Sequence, residues 1–321
     1  MKITGAAAAI ITPFLDEKVN EVDYKIDWDG LKKNVKFQNK YADFIVVNGT
    51  TGESATLSPN EHHKVSEFVL ENTKIPVVAG TGSNSTREAL EHTRHAKDIG
   101  ADACLVVHPY YNRPPHDKVK KNYFSVLAEK VDIPQIVYIV PSRTGKGTEL
   151  PPEDIADLAN EHSNIVGVKE ATGKPERAKE ILSKVNRKDF VVYSGDDPIT
   201  QEICENGGKG AISVHANIMP DVISKQVNSI LKGNAKDVKK IDSMIKNLCK
   251  ATFQETNPIG IKEIMNIVGA PSGNLRPPMG RMTKKHAQKL KKELEKVKEN
   301  GLLDKAKEYY QKAMQIGVRE K

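Results

Sequence analysis

Ile165-Val166-Gly167-Val168-Lys169-Glu170-Ala171-Thr172-Gly173 is the stretch on which the reading of this chain turns. Its small and β-branched residues read as a buried parallel strand, and a lysine stands where that strand should meet its loop. Lysine is rarely fully buried without a partner. At a strand end in a cleft it loses hydration, and its neutral amine can attack a carbonyl. Alone, the run equally fits a solvated loop lysine; the rest of the chain has to decide.

Outward from Lys169 the same unit repeats. Strand-like runs are expected near Ala6–Thr12, Phe44–Asn48, Val77–Gly80, Ala103–His108, Gln135–Val140, Phe190–Ser194 and Gly210–Val214. Amphipathic helical patterns separate them: Trp28–Asn39, Asn60–Asn72, Ser85–Ile99, Asp117–Val131, Pro152–Glu161, Glu176–Val185, Pro198–Glu205 and Asp221–Leu231. Ser58-Pro59 and the capping-box spacing of Ser85 and Glu88 mark helix starts. This alternation predicts a (β/α)8 TIM barrel. The rival, a doubly wound open sheet, usually carries a Gly-rich phosphate loop after an early strand, and this sequence has none there. After about Gly233 only helical patterns remain, near Ala235–Phe253, Pro258–Val268, Lys284–Glu299 and Asp304–Ile316. The division expected is a catalytic barrel over residues 1–233 and an all-helical C-terminal extension over 234–321.

The chain's 321 residues exceed the roughly 250 of a typical barrel, which leaves room for that extension. Its three cysteines, Cys104, Cys204 and Cys249, lie far apart without CxxC spacing. They read as buried apolar residues and fit a reducing, cytoplasmic setting rather than a disulfide framework or zinc site. The net charge of +7 owes much to Lys284–Lys298, where lysines interleave with glutamates around Leu290, Leu294 and Val297. That is a solvated helix face, and without aromatic interleaving or a binding motif no nucleic-acid partner is expected. Gly5–Ile11 resembles a signal-peptide core, but only Lys2 precedes it and Thr12-Pro13 follows, so a first strand is the reading. No run is long enough to span a bilayer, so no membrane partner is expected.

In such barrels the active site gathers at the C-terminal strand ends, and polar residues cluster there. The second strand runs into Gly49-Thr50-Thr51-Gly52-Glu53-Ser54, a tight turn able to present hydroxyls and N–H groups to a small anion. The fourth runs into Pro109-Tyr110-Tyr111-Asn112-Arg113-Pro114. The fifth carries Tyr138 and then Pro141-Ser142-Arg143-Thr144-Gly145, and the seventh ends in Ser194-Gly195-Asp196-Asp197. Each has a plain reading: half-buried phenols, a surface arginine, and, for Asp196 and Asp197, a cap on the following helix. Together they supply an amine nucleophile, phenols and hydroxyls for proton transfer, and a guanidinium for a carboxylate. Metal-ligand spacing is absent: His62 and His63 are adjacent on a helix and are expected to face differently, and there is no HxH or HExxH. Schiff-base chemistry fits better than metal-assisted chemistry.

These motifs, with Lys169-Glu-Ala-Thr-Gly173, resemble the dihydrodipicolinate (4-hydroxy-tetrahydrodipicolinate) synthase family, in the pyruvate-dependent lysine Schiff-base aldolase superfamily that includes N-acetylneuraminate lyase. The resemblance runs from about Gly5 to about Pro278, in order and with matching spacing. It implies condensation of pyruvate with aspartate semialdehyde, in the diaminopimelate route to lysine, with no cofactor or metal. Lys169 would form the imine with pyruvate, and Thr50, Tyr138 and Tyr111 would relay protons. Tyr111 would reach in from a neighbouring subunit, in a dimer or dimer-of-dimers tetramer. Thr51 would bind the pyruvate carboxylate, Arg143 the semialdehyde carboxylate, and Gly195 and Ile212 would line the pocket with backbone carbonyls.

The family's feedback site for lysine matches at Ser54, Ala55, His62, Asn84, Glu88 and Tyr110. Pro59 stands where enterobacterial members have histidine. Ile139 stands where the family usually has asparagine, which would remove a polar contact beside Tyr138, and His108 stands where it often has threonine. Two other readings stand beside this one: a sugar-acid or hydroxy-oxo-acid aldolase keeping Lys169 and pyruvate, and a barrel without catalysis that binds a regulator or nucleic acid, which the positive charge permits. Arg143 argues against the first. The intact set of Thr50, Tyr111, Tyr138, Arg143 and Lys169 argues against the second.

Overall fold

The computed structural model describes residues 3–234 and 238–319, with the side chains of 240 and 313–319 set aside. Its strands, in chain order, are β1 (Gly5–Ala9), β2 (Phe14–Lys18), β3 (Tyr24–Ile26), β4 (Phe44–Val47), β5 (Val77–Gly80), β6 (Ala103–Val107), β7 (Gln135–Ile139), β8 (Ile165–Glu170), β9 (Val191–Ser194) and β10 (Gly210–Ser213). All but β2 and β3 close into a barrel in the order β1-β10-β9-β8-β7-β6-β5-β4, and every pairing around it is parallel. The predicted (β/α)8 barrel is the fold found.

β1 is Gly-Ala-Ala-Ala-Ala, a composition that favours helix by propensity. Tertiary context overrides it. Both faces of β1 are buried, and its small side chains make room inside the barrel for Phe44 and Tyr193, whose ring centroids lie 5.9 Å apart. Ile136, Val78, Leu105 and Ile212 complete that interior, a packed core rather than a pore. Outside it, alternate strand residues such as Ile45, Val47, Val137 and Ile139 pack against the helices.

Helices Trp28–Tyr41, Pro59–Asn72, Thr86–Asp98, Pro152–Glu161, Glu176–Lys184, Thr200–Glu205 and Pro220–Leu231 lie where the pattern placed them, within a residue or two at most ends. Ser58 and Glu61 form a reciprocal capping box, as Ser58-Pro59 suggested. The helix expected over Asp117–Val131 is divided by a π turn at Lys120–Phe124. There Tyr123 is drawn inward, its hydroxyl accepting from Ser83 N–H at 2.9 Å and donating to Val107 C=O at 3.0 Å. The β2–β3 hairpin and a short helix at Pro141–Thr144 went unpredicted.

The C-terminal helices are Lys239–Thr252, Ile259–Ile267, Lys284–Glu299 and Asp304–Arg319; of the helix expected from Ala235, residues 235–237 lie outside the described residues. Leu290, Leu294 and Val297 of the lysine-rich helix pack into one apolar cluster with Ala6, Ile11, Phe37 and Val227. The basic helix thus lays its apolar stripe against helices Lys239–Thr252 and Ile259–Ile267 and turns its lysines to solvent. Among the described residues no helix is long and apolar enough to cross a membrane.

Candidate active site

Sheet register sets the centre of the site. Tyr138 on β7 pairs with Lys169 on β8, so both side chains enter the barrel mouth side by side. Lys169 is 6% exposed, and its Nζ lies 4.2 Å from the centroid of the Tyr138 ring. They open into a cavity of about 650 Å³ lined also by Thr50, Thr51, Arg143, Gly195 and Asp196. Gly195 is required by space. A Cβ there would sit 2.9 Å from Cγ and Cε of Lys169, so the bare backbone gives the lysine its channel.

The Thr50-Thr51 turn is held from behind. Thr12 Oγ1 donates to Gly52 C=O at 2.7 Å. Glu53, in left-handed conformation with φ +56°, accepts from Arg276 N–H at 3.1 Å and is ion-paired with Lys262. Burial is the main influence on that pair: it raises the Glu53 carboxyl and lowers the Lys262 ammonium to about 8. Arg276 extends the network with a two-pronged pair to Glu61, at 2.7 and 2.8 Å. Those hydrogen bonds bring the Glu61 carboxyl down to about 2.

From the C-terminal part of the chain, Asn257 Nδ2 donates to Thr51 Oγ1 at 3.0 Å. Arg143 donates to the Thr256 hydroxyl, and at 3.2 Å to Asn257 C=O. Sequence reading missed Asn257, Thr256, Lys262 and Arg276. The Asn257-Pro258 pair signals a turn, but nothing local says that this turn faces the barrel mouth.

Asp196 and Asp197 correct the sequence reading. Neither side chain caps the following short helix. Asp197 reaches across to β10's end, accepting from Val214 N–H and His215 N–H, each at 3.0 Å, and from His215 Nδ1 at 2.7 Å. Burial opposes its charge, but these donors outweigh burial and hold its carboxyl below the usual range. Asp196 faces the Lys169 cavity instead. Burial first, and then the Asp197 charge, push its carboxyl up to about 6 against the pull of Lys169.

Other expected site residues sort differently. Tyr111 is 83% exposed, in left-handed conformation with φ +74°, and does not line its own chain's cavity. Ile212 is buried in the barrel interior and is not among the lining residues. Ile139 points away from the site into the layer between barrel and helices, so its exchange for asparagine leaves the cavity wall untouched. All three cysteines are buried, and Cys249 borders the cavity with its thiol pushed well above its usual value by burial.

A second cavity, of about 330 Å³, adjoins the first across Thr50, Arg143 and Asn257. Ser54, Ala55, Pro59, His62, Glu88 and Tyr110 line it, whereas Asn84 does not. The expectation that His62 and His63 face apart is half met. Their rings stack on different partners, His62 on His92 with centroids 4.2 Å apart and His63 on His95 at 3.8 Å. Yet His63 Nε2 also meets His92 Nδ1 at 3.0 Å, so spacing in the chain concealed a cluster that folding assembles.

The chain as a whole is similar to known proteins over nearly its full length. The model of the dihydrodipicolinate synthetase family matches residues 2–297. The 4-hydroxy-tetrahydrodipicolinate synthase of Methanosarcina barkeri is 45% identical over 294 residues, which is 91% of this chain and 98% of the relative. The crystal structure of the chloride-inhibited dihydrodipicolinate synthase of Acinetobacter baumannii complexed with pyruvate superposes with a TM-score of 0.84 at 38% identity, covering 91% of this chain and 98% of that one. That of the Cyanidioschyzon merolae enzyme with lysine bound gives 0.86 at 32%, covering 94% and 99%. Motif order, barrel topology and these matches over nearly the full length agree: the chain belongs to the dihydrodipicolinate synthetase family.

Proposed function

We propose that this protein is a 4-hydroxy-tetrahydrodipicolinate synthase, a lyase of the Schiff-base aldolase type that condenses pyruvate with L-aspartate 4-semialdehyde. The observation that carries the proposal is the Lys169–Tyr138 pair, an amine 4.2 Å from a phenol ring centroid, buried at the C-terminal strand ends beside Thr50 and Thr51. The relatives' names and the family fix the reaction class.

In this reading Lys169 Nζ attacks the keto carbon of pyruvate and water leaves, giving an imine. Thr51, held by Asn257, binds the pyruvate carboxylate. Loss of a methyl proton converts the imine to an enamine, and the phenol of Tyr138 with the Thr50 hydroxyl moves protons in these steps. The enamine carbon attacks the aldehyde, whose own carboxylate Arg143 grips at the mouth. Attack by the substrate's amine on the imine carbon closes the ring and releases Lys169. Gly195 keeps the lysine's channel open. The exposure of Tyr111 fits a residue offered to a neighbouring subunit, in a dimer or a tetramer built from two dimers.

The second cavity supports feedback by lysine. Ser54, Ala55, His62, Glu88 and Tyr110 surround it, and the Glu88 carboxylate suits an ammonium group. Inhibition of turnover by added lysine tests this, and full activity at saturating lysine would contradict it.

The reaction is tested by incubating the protein with both substrates and identifying products by mass spectrometry. One-to-one consumption of pyruvate and aspartate semialdehyde with a cyclic amino dicarboxylate product is expected. Condensation of pyruvate only with a different aldehyde would reassign the second substrate.

A further inference from the structure

We propose that His62, His63 and His92 form a binding site for one divalent transition-metal ion of the zinc class, distinct from the Lys169 cavity and independent of its chemistry. One ring nitrogen from each lies within 4.8 Å of the other two. The pair already facing each other, His63 Nε2 and His92 Nδ1, is 3.0 Å apart. Zinc–imidazole bonds of about 2.0–2.1 Å at a tetrahedral angle place two ligand nitrogens about 3.3–3.4 Å apart, so binding requires nitrogens now up to 4.8 Å apart to close in and the stacked His62 and His92 rings to turn until both lone pairs meet at the ion.

An independent observation points the same way. His62 is 7% exposed, and its Nδ1 makes no hydrogen bond of normal geometry among the described residues, although the ring lies close enough to the Gly80 backbone to feel it. A buried polar atom left unpaired in this way costs stability unless something completes it, and a metal ion would.

The surroundings favour a cation. Glu88 and Glu91 lie near His92, and Glu67 and Glu91 near His63. Burial, more than any neighbour, lowers His62 to about 3 and depresses His63 and His92, so the rings are neutral at neutral pH, and an ion would replace the proton shared between His63 Nε2 and His92 Nδ1 as the ring that carries it shifts tautomer. Three nitrogens leave one tetrahedral position open. His62 and His92 both line the second cavity, so that position can be filled by water or by a carboxylate entering there.

The other buried cluster of this type, Asp197, His215 and Cys249, is already committed. His215 bonds Asp197 through Nδ1 at 2.7 Å and Thr252 through Nε2 at 3.0 Å, so neither nitrogen is free.

The test is equilibrium dialysis of the tag-free chain against Zn²⁺, with Co²⁺ absorption as a second readout. One Zn²⁺ per chain and visible Co²⁺ bands of a low-coordinate nitrogen site are expected. His63→Gln and His92→Gln should each weaken binding by more than the 10–100-fold typical of losing an outer-shell partner. His116→Gln, elsewhere on the surface, should change nothing. His63 is half-buried on its helix, so its variant stays folded even if His92→Gln does not. Zn²⁺ binding equal in wild type and His63→Gln, or Co²⁺ spectra of a purely aquo ion, would overturn the site.

Discussion

Two cavities share Thr50, Arg143 and Asn257 as a common wall, yet they are built differently. The Lys169 cavity stands on strand ends, where backbone pairing fixes which side chains are neighbours: Tyr138 beside Lys169, and Lys169 beside Tyr193. The second cavity stands on the faces of helices Pro59–Asn72 and Thr86–Asp98 and on several loops, and side-chain packing and hydrogen bonding set its lining, as in the His62–His92 stack and the Ser83–Glu88 hydrogen bond. Precise covalent chemistry belongs on the first kind of frame and adjustable ligand binding on the second.

The largest expected effect separates chemistry from frame. Tyr138→Phe should lower kcat by about 10²–10⁴-fold while the melting temperature stays near wild type, measured by steady-state turnover and calorimetry. Lys262→Met attacks the frame instead. It strands the Glu53 carboxyl in the core behind Thr50 and Thr51, where Glu53 and Lys262 are both fully buried. Breaking such a pair costs about 3–5 kcal/mol, read by chemical denaturation. A variant as stable as wild type would show that the turn does not depend on the pair.

Gly195→Ala sharpens the comparison from inside the strand-end cavity. Its methyl would press on Lys169 and on the Ala171 Cβ; displacement of the amine should cost up to about 10²-fold in kcat, with an overpacking loss of about 1–3 kcal/mol in stability. The smallest effect is one of pH. The Asp196 carboxyl is raised from 3.8 to about 6, so its protonated form is favoured in the folded state. Its contribution to stability is full below pH 3.8 and is lost as pH rises through 6. Asp196→Asn should therefore raise the melting temperature at pH 7, with no gain below 3.8, and remove a break near 6 from the pH profile of kcat/KM.

Much of the first cavity was legible in the chain because strand ends announce themselves. An apolar run stops, and the polar residue that follows is at the barrel mouth: Lys169, Gly195 and the Thr50-Thr51 turn were all found this way. The fold followed from the same alternation, including the poly-alanine β1. What stayed hidden depends on distant partners. Asn257 and Lys262 lie on the C-terminal helical part, more than two hundred residues from the turn they secure, and no local pattern links them. Asp196 and Asp197 looked like helix caps because Ser-Gly-Asp-Asp-Pro has cap chemistry, but His215 offered Asp197 a better partner. The histidine cluster joins helices Pro59–Asn72 and Thr86–Asp98, so spacing within either helix reveals nothing of it.

The central claim is that Lys169 is the nucleophile. Borohydride reduction in the presence of pyruvate, followed by peptide mass spectrometry, tests it most directly. A single reduced pyruvyl adduct on the peptide carrying Lys169, absent from Lys169→Arg, is the predicted result. Folded protein that gives no adduct, or an adduct on another lysine, would contradict the account.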